Sequence, residues 1–159
     1  MFSIFKWQRQ ELMFVGTVLL IILVISQVQL RVGQMKTRDA QRKADTELVA
    51  RALDQYFQVF AVFPPAADGQ IVICGDILDL PCQWGKGSIR DKEGVTYLKQ
   101  LPADPFSGQG RRYVYQVSSD RRQYRIYVAL EYRRDPDWKT NLTIPCQGEL
   151  QCNWYVGNH

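Results

Sequence analysis

Apolar and polar positions divide this chain into stretches with different periods. The first is an unbroken apolar run, Leu12–Leu30, with no charged residue in it and its densest part at Leu12–Ser26. About twenty apolar residues in helical form span the hydrocarbon layer of a bilayer. The segment that follows, residues 31–62, contains no proline and keeps a helical period. Met35, Ala40, Ala44, Leu48, Ala52, Leu53, Tyr56 and Phe60 recur at threes and fours and define one apolar stripe. Lys36, Arg38, Asp39, Arg42, Lys43, Asp45 and Glu47 occupy the other faces, with Asp39 and Lys43 at the spacing of a helical ion pair. Phe63-Pro64-Pro65 ends the pattern, because a proline disfavours helix in the residue before it. No breaker separates the two stretches, so the sequence predicts a single helix of some fifty residues, on the order of 75 Å long.

The period then changes. Residues 64–104 are rich in proline and glycine and read as a loop, with one short strand at Gln70–Cys74 and a helical turn at Thr96–Gln100. Arg112–Val117 alternates, with Tyr113, Tyr115 and Val117 on one side. After the turn residues Ser118-Ser119-Asp120, Gln123–Tyr132 alternates again, with Tyr124, Ile126, Val128, Leu130 and Tyr132 on one side. Residues 111–133 are thus a β-hairpin with one apolar face, and the helical stripe is its natural cover. Residues 135–159 read as a cysteine-closed loop and tail, with an edge strand at Trp154–Val156. The expected organisation is a membrane segment over residues 1–30 and one globular domain over 31–159. The expected fold is α+β: a long N-terminal helix, half transmembrane and half amphipathic, packed against a small antiparallel sheet.

A cleaved signal peptide is the rival to a retained anchor. It wants a short apolar core and a small-x-small cleavage site, and Arg-Val-Gly-Gln-Met-Lys after Leu30 supplies none. Orientation has two opposed signals. Lys6 and Arg9 precede the run, whereas Arg31, Lys36, Arg38, Arg42 and Lys43 follow it, which by charge count would keep the C-terminal side in the cytoplasm. The cysteines point outward. Cys74 and Cys82, and Cys146 and Cys152, form two close pairs, and an even number at short spacing suits disulfides in an oxidising compartment. Short loops favour Cys74–Cys82 and Cys146–Cys152 among three possible connectivities; a zinc site and free buried thiols are the other uses of such residues. We weight the cysteines over the charges and expect a single-pass membrane protein whose C-terminal domain is extracytoplasmic.

Composition fits a folded domain with a membrane segment: 23% of residues are charged and 46% hydrophobic. About 130 residues remain beyond Leu30, enough for one core. The net charge of +4 suits a membrane surface and does not demand nucleic acid. The single histidine is His159, which removes histidine-based metal sites and hydrolytic triads with an internal histidine. Gly85-Lys86-Gly87-Ser88 lacks the upstream glycine of a phosphate loop. No catalytic constellation stands out, and we expect no enzyme. Calcium is conceivable at the loop acids Asp76, Asp79 and Glu93, although solvated acids are the commoner outcome. Arg111, Arg112, Arg121, Arg122, Arg125, Arg133 and Arg134 flank the hairpin tyrosines. Arg121, Arg122 and Arg125 are the candidate contacts for DNA through phosphates and stacking; the alternative is a solvated strand face whose charge discourages aggregation.

Two segments resemble the type IV pilin and type II secretion pseudopilin family. Asp39-Ala40-Gln41-Arg42-Lys43-Ala44-Asp45, with Ala52-Leu53-Asp54-Gln55-Tyr56-Phe57 and Phe63-Pro64, is similar to the soluble half of the family's helix. Tyr97-Leu98-Lys99-Gln100-Leu101-Pro102-Ala103-Asp104-Pro105 resembles its connector, and a tyrosine-rich hairpin follows in both. The resemblance covers about Leu12 to Tyr132. It implies a structural subunit stored in the bilayer that assembles with identical or related subunits, through pilus or secretion machinery, into a filament. Calcium bound in a loop and, in some minor members, DNA binding are also family properties. Glu11 sits where the family has a glutamate that neutralises a neighbouring subunit's terminal amine; here Lys6 or Arg9 could serve instead, within the chain or across subunits, and an interfacial carboxylate in contact with water is the alternative. The family's processing signal places a glycine or alanine before the cut, and none lies upstream of Glu11. That departure supports the alternative of an uncleaved, membrane-anchored binding module for DNA or a partner protein.

Overall fold

A computed structural model describes residues 9–73 and 80–158. By contact the chain divides into two compact units, Met1–Thr37 and Arg38–His159. One helix, α1 (Arg9–Phe60), is continuous for 52 residues. In the first unit its side chains from Leu12 to Leu30 are largely exposed; Leu20, for example, keeps 62% of its surface. Thr17 donates to the carbonyl of Met13 and Thr37 to that of Gly33, so these hydroxyls are satisfied within the helix.

α1 stops two residues before the predicted end. Ala61 takes a left-handed conformation (φ 57°) and its N–H donates to Phe57 O at 2.8 Å, closing the last turn as a helix C-terminus usually does. Phe63 then stacks on Phe57 at 4.5 Å and turns the chain back toward the helix.

The second unit is built from short antiparallel strands: β1 (Ala66–Ala67), β2 (Gln70–Ile71), β3 (Ile89–Arg90), β4 (Thr96–Leu98), β5 (Val114–Val117), β6 (Tyr124–Val128), β7 (Pro145–Gln147), β8 (Leu150–Gln151) and β9 (Trp154–Gly157). β1 and β2 are joined by Asp68-Gly69, both at positive φ, the Asp-Gly combination that two-residue hairpins favour. Residues 96–98, expected as a helical turn, are instead the strand β4, paired with β3 across a turn in which Gly94 has φ 86°. Thr96 and Tyr97 have strand propensity, and the pairing supplies the backbone partners that an isolated helical turn lacks. The main sheet has the order β5-β6-β9. Tyr115 faces Ile126 across the first pair, and Tyr127 faces Tyr155 across the second. At Gly157 a Cβ would collide with the carbonyl of Tyr124 and lie 3.2 Å from Cα of Arg125, so this close pairing requires glycine.

The small antiparallel sheets pack against the helix. Val49, Ala52 and Leu53 of α1 meet Phe63, Ile71, Ile89, Leu101, Tyr113, Tyr115, Tyr124, Ile126, Val128 and Leu130 in one core. Burying a leucine- or isoleucine-sized side chain contributes about 1.5–3 kcal/mol. The expected helical stripe is displaced in its first half: Ala40, Ala44 and Leu48 are exposed, and Asp39, Arg42 and Thr46 are buried in their place. The hairpin also has two covered faces where the pattern suggested one. Val114, Tyr127 and Ala129 bury against Cys146, Cys152, Leu142, Ile144 and Tyr155.

Candidate functional site

Two features of the chain go beyond core packing. The first is the apolar half of α1. An 18-residue window there has a mean hydropathy of 2.3 and none of it is buried. At about 1.5 Å per residue such a window measures about 27 Å, close to the thickness of a bilayer's hydrocarbon core. The helix is therefore long and apolar enough to cross a membrane. Glu11 lies in its first turn, where the positive end of the helix dipole favours a carboxylate. Lys6, one of its suggested partners, lies outside the described residues.

The second is a buried charge cluster in the globular unit. Asp39 and Arg42 lie one turn apart on α1, so both side chains project from the same face. Arg42 is fully buried, and Asp39 and Asp104 are each only 2% exposed. Arg42 donates to Asp104 Oδ2 at 2.7 Å and Oδ1 at 3.2 Å, to Asp39 Oδ1 at 2.8 Å and to Glu131 Oε1 at 2.6 Å. Arg38 holds Glu131 with two bonds, at 2.9 and 2.6 Å. Asp39 also accepts the backbone N–H of Glu131 at 2.9 Å and of Tyr132 at 2.8 Å. The Phe106 ring lies beneath three guanidiniums, those of Arg38, Arg42 and Arg111, at 4.9, 5.6 and 5.1 Å. Beside this cluster, Lys43 pairs with Asp135 at 2.8 Å and Asp137 at 2.7 Å rather than with Asp39. Asp39 turns inward to Arg42, and so leaves Lys43 to acids from beyond β6.

These geometries set the protonation states. Burial works against the charge of Glu131, but the hydrogen bonds of Arg38 and Arg42 prevail and hold its carboxyl below its ordinary value. Burial and then Lys43 act in the same opposed way on Asp135, which is also lowered. Asp45 moves the other way: burial raises it, despite the 3.0 Å bond it accepts from the Tyr113 hydroxyl. A carboxylate whose folded pKa is depressed contributes stability that is present above its unfolded value, about 4.3 for Glu, and lost as pH falls through the folded value. Asp45 contributes with the opposite sign. We expect the loss of stability between about pH 5 and about pH 3 to be shallower in Glu131→Gln than in the parent. Denaturant unfolding at each pH reads this, and equal slopes would remove Glu131 from the account.

Of the arginines named for DNA, one has a structural role. Arg121 has a left-handed backbone (φ 56°), donates from Nε to Phe63 O at 2.6 Å, and accepts from Phe63 N at 2.7 Å. It is a clamp between the end of α1 and the hairpin turn. Arg122 is exposed, and Arg125 is exposed with its guanidinium 5.0 Å from the Tyr155 ring. Cys146 and Cys152 form a disulfide. Cys82 is disulfide-bonded and buried, and Cys74 lies outside the described residues. Asp76, Asp79 and His159 also lie outside them, while Glu93 is exposed. Among the described residues, no three metal-ligating side chains converge.

Sequence reasoning did not find the Arg42 cluster. The available signal was the one-turn spacing of Asp39 and Arg42 together with an aspartate fixed between two prolines at Asp104. No family model, curated protein or solved structure matches the chain.

Proposed function

We propose that this chain is a membrane-anchored, pilin-like structural subunit that assembles through its N-terminal helix into a type IV pilus or secretion pseudopilus. One observation carries the reading: the globular unit has its own core, yet α1 also presents an apolar stretch with none of its window buried. Apolar surface left in water costs about 25 cal/mol per Å², so that stretch requires lipid or other helices around it. The connector and helix motifs that resemble pseudopilins support the same role. The Cys146–Cys152 disulfide favours an oxidising compartment for the domain.

Single cysteines placed in turn along residues 12–30 of the full chain in its native membrane test assembly. Crosslinks should concentrate at positions on one helical face and build ladders of subunits. Crosslinks that are absent, or scattered without periodicity, would count against it. The second reading is an uncleaved anchored binding module, and exposed Arg112, Arg122 and Arg125 favour it. The mass of the native N-terminus separates the two readings, since an intact Met1 argues against the filament pathway.

A further inference from the structure

A cleft of about 590 Å³ opens on the globular unit, away from the hairpin turn. Gln70 of β2, Trp84 and Lys86 of the following turn, and Ser107, Arg111 and Arg112 before β5 line it. Its volume falls in the range of small-molecule sites, about 300–1,000 Å³. Three of its lining side chains are cationic and none is a carboxylate. Among the described residues no ion pair neutralises Lys86 or Arg112.

Arg111 adds an independent observation. Its Nε and Nη1 are buried without a hydrogen-bond partner. The nearest carboxylate oxygen, Glu131 Oε1, is 3.9 Å from Nη1 and is already bound by Arg38 and Arg42. Burial and the neighbouring Arg42 charge both act against the Arg111 cation, lowering its pKa. The Arg111 charge is only partly balanced, by that long contact and by the Phe106 face, and an oxyanion in the cleft would meet the exposed part of the side chain, not the buried Nε and Nη1, as a charge-assisted partner.

Backbone donors are not the source of binding here. Gly85 N–H donates to Leu101 and Pro102 carbonyls, Gly87 N–H to Gln83, and Gly110 N–H to Ser107. The turn is thus no phosphate nest, and recognition falls to side chains. Inorganic phosphate would fill only part of the space. Gln70, Gln83 and Ser107 supply hydrogen-bonding groups for hydroxyls, and Trp84 supplies apolar surface.

We infer that this cleft binds an oxyanion carried on a polyhydroxylated body, a sugar phosphate or sugar sulfate, with Lys86, Arg111 and Arg112 on the anion. The site is independent of the filament reading and would operate on an anchored module equally well.

Calorimetry on the full chain in uncharged detergent tests it, with glucose 6-phosphate, glucose 6-sulfate, inorganic phosphate and glucose as probes at constant ionic strength. Saturable binding of the two sugar esters, weaker binding of inorganic phosphate and none of glucose is the expected result. Binding of inorganic phosphate as tightly as the esters would overturn the sugar part of the proposal. The double variant Lys86→Gln/Arg112→Gln should lower affinity about a hundred-fold, since each of the two charge-assisted bonds lost is worth about a decade. Gly108→Glu provides a second route: a Cβ there meets nothing within 4 Å, so the fold is kept while a carboxylate enters the cleft. It should abolish binding with the unfolding midpoint unchanged. No saturable binding of any ester at millimolar concentration, or equal affinity in the variants, would overturn the site.

Discussion

Replacing Arg42 with methionine will destabilise the globular unit by about 3–5 kcal/mol, the cost of breaking a buried ion pair from one side. The substitution keeps the apolar stem of the side chain and removes the guanidinium, with its charge, its donors and the buried space it fills. Asp39, Asp104 and Glu131 would then face one another in the place of the lost cation. Asp39 would keep its two backbone donors, and Glu131 would keep Arg38. Asp104 would keep only the N–H of Phe106, and is the group most exposed to the loss. Urea unfolding of the full chain in detergent, followed by tryptophan fluorescence, measures the effect. A loss below about 1 kcal/mol, the range of a surface pair, would mean that water reaches the cluster. Adding Asp104→Asn should recover part of the stability, because it removes the orphaned charge.

Replacing Leu20 with arginine should release the protein from membranes. Arginine at the centre of a spanning helix costs about 2.5–3.5 kcal/mol on insertion scales, which is on the order of a hundred-fold in partitioning. Leu20 is 62% exposed and contributes nothing to the core of the globular unit, so that unit should fold as before. Leu48→Arg is the matched control, on the same helix and 42% exposed but beyond the apolar run. Fractionation and alkaline extraction of membranes should show the Leu20 variant lost and the Leu48 variant retained. If both remain, the helix is held by something other than lipid around its middle.

The long helix and the hairpin were legible because each keeps one period for many residues. Tyr113, Tyr115, Tyr124, Ile126, Val128 and Leu130 all lie on the face that the alternation assigns to the core. The helical stripe was misread over its first half because two stripes compete there. Ala40, Ala44 and Leu48 are apolar by type, but Asp39, Arg42 and Thr46 are the ones that face inward. Their burial depends on Asp104 and Glu131, which lie 62 and 89 residues from Arg42 in sequence. A local period carries no information about such partners. β4 was missed for the same reason: three residues become a strand only once Ile89 and Arg90 are beside them. The cleft beside Arg111 has no sequence signature at all, being assembled from β2, the turn at Trp84 and the segment before β5.

The position of Glu131 has a consequence for synthesis. Arg42 leaves the ribosome long before the acid that completes its shell, and at about 5–20 residues per second the 89-residue interval lasts on the order of five to twenty seconds. Throughout that interval the nascent helix carries a guanidinium with an incomplete set of acceptors. Docking of the helix is thereby timed to a late translational event, and a pause before codon 131 would lengthen the period in which a chaperone can hold the chain.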